Sequence, residues 1–138
     1  MKVSQLYRWA GIVGIVAGIL NILVEFLPEN LAGPLNLLVV TFALWVLAAL
    51  YLRQRQASGM LGFIGYSINT FGLALVVGVV FAQVFVLSAL DAALVEELFA
   101  GTTGMAALLS LVIYALGVVL FGIAIIRANV FPKWAAVL

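Results

Sequence analysis

The chain has 138 residues, 67% of them hydrophobic and only 8% charged, with a formal net charge of +1. Soluble domains carry about 45–50% apolar and about 25% charged residues, so the composition excludes that class and points to an integral membrane protein. The near-neutral charge offers no basic surface for nucleic acid. The absence of cysteine and histidine removes disulfides, thiolate chemistry, the usual haem and zinc ligands and the commonest general base.

A bilayer-spanning helix needs roughly 20 apolar residues, and the first such run covers residues 6–27. Lys2 and Arg8 precede it as in a secretory signal, but the run from Trp9 to Leu27 is longer than a signal core and no small-residue cleavage site closes it. The reading is an uncleaved first membrane helix. Within it, Gly11, Gly14, Gly18, Asn21 and Glu25 recur at steps of three and four. At about 100° per residue they fall within an arc of roughly 80°, with Ala10 and Ala17 beside them. Helices in lipid associate through small residues that let backbones approach and through amides that bond across the contact, so this stripe is expected to be a helix-packing face.

The connection "PENLAGP" leads to a second span over residues 35–52, with Pro34 suited to its first turn. "RQRQASG" leads to a third over residues 60–90. That third run would extend roughly 46 Å as a helix against a hydrocarbon core of about 30 Å, so it must tilt, protrude or break near its end. Its "GFIGYSINTFG" repeats the pattern of the first span: Gly62, Gly65, Asn69 and Gly72. Packed in register, Asn69 would face Gly18 and Asn21 would face Gly72, so that each amide lies opposite a glycine. A second small line, Ser67, Ala74, Gly78 and Ala82, follows another face.

The stretch "DAALVEELFAGTTG" suits a short interfacial helix over residues 88–100, with Ser88 and Asp91 placed for a capping box. The fourth span covers residues 103–126. Thr103, Ala107, Ser110, Gly117 and Ala124 gather near one of its faces, with Tyr114 among them. The expected fold is therefore an all-α bundle of four transmembrane helices in one domain, residues 1–138.

Charge orients it. Lys2, Arg8, Arg53, Arg55, Arg127 and Lys133 all lie before span one, between spans two and three, or after span four. Glu25, Glu29, Asp91, Glu96 and Glu97 all lie in or beside the other two connections. The positive-inside rule places both termini in the cytoplasm. Trp9, Tyr51 and Trp134 fall near that interface, as belt aromatics do.

Glu25 is a candidate proton or transport site, because an ionisable group in a span is a functional hypothesis by default; its nearness to Pro28 puts it toward the outer rim. Asn21, Asn69, Gln83, Tyr114 and Thr41 read as interhelical bonding groups. The acidic residues between spans three and four read as a solvated loop. No metal-ligand or nucleotide-loop spacing occurs, and no Ser–His–Asp arrangement is possible.

"YRWAGIVGIVAGILNILVEFL" and "LGVVLFGIAIIRANVFPKWAAVL" resemble spans of the DUF4386-like multi-pass membrane family of bacteria, the latter through Arg127, Pro132 and Trp134. The likeness covers about a third of the chain. The family's later span often carries a histidine that is absent here, and the family continues into further spans. "KWAAVL" either begins such a helix or lies along the cytoplasmic interface. The resemblance implies no defined activity and transfers no site. Together these readings favour a non-enzymatic subunit of the bacterial cell membrane. It would use no cofactor and work by helix packing, as an accessory or scaffold component of a larger complex or as a homo-oligomer. The alternative is a small-solute or proton-coupled transporter using Glu25 with Asn21 and Asn69.

Overall fold

The computed structural model describes residues 3–131. Lys2, Pro132, Lys133, Trp134 and the "KWAAVL" tail lie outside them. The described residues form four α-helices and no strand: α1 (Val3–Val24), α2 (Glu29–Phe85), α3 (Ala92–Ala100) and α4 (Thr102–Ala128). Of these, α1, α2 and α4 are long and apolar enough to cross a membrane.

α2 is a hairpin rather than a rod. Its 57 residues would run roughly 86 Å if straight. Gly59 instead adopts φ 55°, ψ −146°, a region essentially closed to any residue with a Cβ. The chain reverses there into two limbs, residues 29–58 and 60–85. The Tyr51 and Tyr66 rings stack across the limbs, centroids 4.3 Å apart and planes within 7°. Farther from the turn, the position of a Cβ on Gly33 lies 3.1 Å from a Val84 methyl. Stepping from Tyr51 to Gly33 moves as many residues along the first limb as stepping from Tyr66 to Val84 moves along the second, so the limbs keep one antiparallel register.

The connections are shorter than the sequence suggests. "RQRQASG" was expected as a loop, but arginine, glutamine and alanine are good helix formers and the helix runs on to the turn. "PENLAGP" likewise collapses to the residues before Glu29: Pro28 caps α2, and its carbonyl accepts from the amides of Leu31 and Ala32. Pro34 therefore stands inside the helix, not in its first turn. At the far end the third apolar run breaks, as its length demands, into a short 3-10 turn at Leu87–Ala89. The capping box does not form. Ser88 Oγ donates back to the Val84 carbonyl at 2.6 Å, and Asp91 caps α3 without a side-chain bond. The short helix itself is present. α4 ends at Asn129, whose left-handed backbone (φ 51°, ψ 28°) suits an asparagine.

The buried core lies between both limbs of α2 and α4: Leu47, Leu73, Phe121 and Ile125, with Tyr51, Tyr66 and Tyr114 packed around them. α1 is appended to the first limb, with Ala10 and Ala17 buried and Val46 3.5 Å from where a Gly14 Cβ would stand. Near its start, Tyr7 receives the Arg53 guanidinium 5.4 Å from its ring centre. The helix order places Arg8, Arg53, Arg55 and Arg127 at one end of the bundle and Glu25, Asp91, Glu96 and Glu97 at the other.

One buried group is at odds with its surroundings. Gln54 is 1% exposed, and neither amide atom has a partner among the described residues; nor has Ser58 Oγ, one turn on. An unsatisfied buried amide costs about 1–3 kcal/mol. Gln54→Met, similar in shape and free of that penalty, is expected to raise stability by about 1 kcal/mol. Denaturant unfolding in micelles measures it, and a destabilised Gln54→Met would mean that the amide is satisfied after all.

Candidate functional site

The glycine stripe of the second limb is a contact surface, but with α4. A Cβ on Gly65 would lie 2.7 Å from the Phe121 nitrogen, and one on Gly72 would lie 2.5 Å from the Tyr114 Cα. A Cβ on Gly117 would press on the backbone of Asn69, and one on Gly62 would reach Ala124 Cβ at 3.9 Å besides colliding with Ser58. Each step of three or four along one helix is matched by the same step back along the other. Backbone meets backbone over this length, which only residues lacking a Cβ permit.

The expected pairing of this stripe with the first span is thereby corrected. Gly11 and Gly18 have nothing within 4 Å of a Cβ position, and Asn21 is exposed. Of the three glycines in the α1 stripe only Gly14 has a neighbour at contact distance, Val46 of the first limb and nothing of the second. The expectation that an amide faces a glycine holds for Asn69, but the glycine is Gly117. Asn21 does not face Gly72. The reason is directional: three-four spacing defines a face, while chain order and register choose its partner. α4 runs antiparallel to the second limb, and its line Ser110, Gly117 and Ala124 is buried. The second small line of the third span is left mostly open, with Ser67, Ala74 and Gly78 exposed.

Asn69 is the one candidate held inside the bundle. It is 6% exposed, and its Oδ1 has no hydrogen-bond partner. Thr70 Oγ1 beside it is also unpartnered. Asn69 lines a pocket of about 270 Å³ together with Gly14, Ala17, Val46, Leu73 and Tyr114. Each of these residues is near the middle of its own helix or limb, so the pocket sits at mid-depth. It lies where α1, packed against the first limb through Val46, leaves a wedge toward Asn69 and Tyr114.

A larger hollow of about 600 Å³ opens near the other connections, between Val76, Val80, Gln83, Phe99, Gly104 and Met105. Its one side-chain amide, Gln83, is exposed, so nothing there needs a ligand. The smaller pocket has the stronger chemical claim. Glu25 and Asn21 are exposed at the far end of α1 and line neither hollow. Thr41 and Ser110 spend their hydroxyls on carbonyls one turn back, at Leu37 and Ala106. No group of three or more carboxylates able to hold a metal ion occurs among the described residues.

The fold and pocket define a class: an all-helical protein whose three long helices are apolar enough for a membrane, with one buried amide at mid-depth. Compared with known proteins, the chain matches no family model, no curated protein and no solved structure.

Proposed function

We propose that this chain is a four-span subunit of the cell membrane, with both termini cytoplasmic, that catalyses no reaction and works by offering a packing face to another membrane protein or to a second copy of itself. The observation that carries this reading is the open part of the α1 stripe. Gly18 has no neighbour near a Cβ position, and Asn21 is exposed on the same line. In lipid an amide gains by finding a partner, and a glycine groove allows a second backbone to come close. Of the three long helices, α1 has the least holding it inside the chain. The four-span topology is supported by the reversal at Gly59 and by the collection of basic residues at one end and acidic residues at the other.

The transport alternative keeps the mid-depth pocket as its support, since carriers bind substrate near the bilayer midplane. Its three residues are not assembled, however, because Glu25 and Asn21 stand away from Asn69.

The test is mild detergent extraction followed by mass measurement of the intact assembly. The chain is expected to leave the membrane with a partner or as an oligomer. Gly18→Ile combined with Asn21→Leu is expected to release that partner while leaving the unfolding free energy within about 0.5 kcal/mol of the parent. A monomer that travels with nothing overturns the proposal, and so does a partner that the α1 variant retains.

A further inference from the structure

Another hollow lies between α1 and the first limb, at the basic end of the bundle. Tyr7 and Arg53 meet there, with the guanidinium 5.4 Å from the ring centre, and Gly14 meets Val46 farther in. Tyr7 to Gly14 and Arg53 to Val46 are equal steps along their helices, each about 10 Å long. Between these contacts runs a cleft of about 240 Å³. Ala10, Gly11, Val46, Ala49 and Leu50 wall it, and Phe131, which also packs against the core, lines it from beyond α4. Gly11 is exposed and has nothing within 4 Å of a Cβ position, so the cleft opens outward beside it.

Arg53 is the only charged residue that lines this cleft. It is exposed, so its N–H groups can be reached. The Tyr7 ring attracts the guanidinium at the mouth but brings no opposite charge. Among the described residues no acidic side chain belongs to this end, where Arg8, Arg55 and Arg127 add to the positive charge. A cation at the mouth of an apolar shaft suits an anion joined to hydrocarbon. A free anion gains nothing from the apolar walls, and a neutral lipophile gains nothing from the arginine. A guanidinium pairs with a phosphate through two parallel N–H bonds. The volume is below that of pockets enclosing a whole drug-sized ligand, so it suits part of a chain whose remainder lies in the bilayer.

We propose that this cleft binds an anionic phospholipid of the cytoplasmic leaflet, with the phosphate on Arg53 and the start of one acyl chain between α1 and the first limb. The membrane setting and orientation are those proposed above. Basic residues are drawn to anionic surfaces in general, and Arg55, exposed at the same end but outside the cleft lining, measures that background.

The test uses the full chain in dodecyl maltoside micelles at physiological salt. The probe is dioleoylphosphatidylglycerol, with dioleoylphosphatidylcholine and soluble glycerol phosphate as comparisons. Affinity is read from the shift of the unfolding midpoint with added probe. The anionic lipid is expected to bind about tenfold more tightly than the zwitterionic one, and glycerol phosphate to shift nothing. Arg53→Gln is expected to weaken the anionic lipid about tenfold, the value of a charged hydrogen bond, and Arg55→Gln by less than about threefold. Gly11→Phe places a ring where a Cβ meets nothing and is expected to abolish lipid binding. Equal losses in Arg53→Gln and Arg55→Gln overturn the proposal, since they would report general charge. Undiminished binding in Gly11→Phe also overturns it, as does equal binding of the two lipids or a shift from glycerol phosphate matching that from the lipid. Should Gly11→Phe fail to fold, the two arginine variants decide. A chain that dissolves without detergent defeats the membrane reading itself. One that needs detergent yet ignores the anionic lipid defeats only this inference, and partner loss through Gly18→Ile with Asn21→Leu bears on the packing role alone.

Discussion

Gly117→Ala is expected to destabilise the protein by about 3 kcal/mol, the upper part of the range for overpacking, and Gly117→Leu to prevent α4 from docking. The added Cβ would meet the backbone nitrogen and Cα of Asn69. A side chain can rotate away from a clash, but a helix backbone cannot. Relief requires moving α4 outward, and that move opens the matching contacts at Gly65 and Gly72 as well. Dispersion falls off steeply with separation, so a displacement of an ångström forfeits much of the packing along the whole line. The control is Gly18→Ala on α1, where nothing lies within 4 Å and the expected change is below about 0.5 kcal/mol. Unfolding in mixed micelles compares the two. Equal effects would show that the α2–α4 backbone contact is not what holds the bundle.

The second large effect is expected at Gly59. Its φ of 55° with ψ −146° lies where an L-residue is strained, at a cost of about 1–3 kcal/mol. Gly59→Ala should lose that much, and Gly59→Val more, because a β-branched side chain tolerates the region least. The hairpin has a direct reporter. The position of a Gly33 Cβ is 3.7 Å from Val84 Cβ, within the span that a disulfide requires. The chain has no cysteine of its own, so Gly33→Cys with Val84→Cys gives an unambiguous crosslink. It is expected to close readily in the parent background and poorly with Gly59→Val. An undiminished yield in Gly59→Val would mean that the reversal does not depend on glycine.

Much of this architecture is legible in the order of the residues. Composition alone marks the helices as apolar, and the length of the third run requires the break that occurs after Phe85. The faces are legible as well: the spacing of Gly62, Gly65, Asn69 and Gly72 identifies a contact line, and the buried line of α4 includes Ser110, Gly117 and Ala124. What spacing cannot supply is the pairing. Gly11, Gly14 and Gly18 carry the same signature as the second-limb stripe, yet only Gly14 has a neighbour at contact distance. The choice is made by the one-residue reversal at Gly59 and the antiparallel return of α4, which are properties of the whole chain. The pocket was hidden for a related reason. Asn69 is visible as a polar residue in a span, but no local pattern encodes that its Oδ1 is buried without a partner. Glu25 drew attention as the only acid within a candidate span. Its exposed place in the turn just past Val24 agrees with its nearness to Pro28 in the sequence.

The turn at Gly59 also bears on the order in which the molecule assembles. The entropy lost in closing a loop grows with its length, and between the two limbs the contacts nearest Gly59 close the shortest loops. Within the hairpin Tyr51 and Tyr66 can meet before Gly33 and Val84, and pairing then zips outward along the limbs. α4 can dock only when the second limb presents its glycine line, and α1 needs nothing but the first limb. Apart from the core contact that brings Leu47 of the first limb to Phe121 and Ile125 of α4, the helices pack on their neighbours in sequence, an arrangement that favours fast folding.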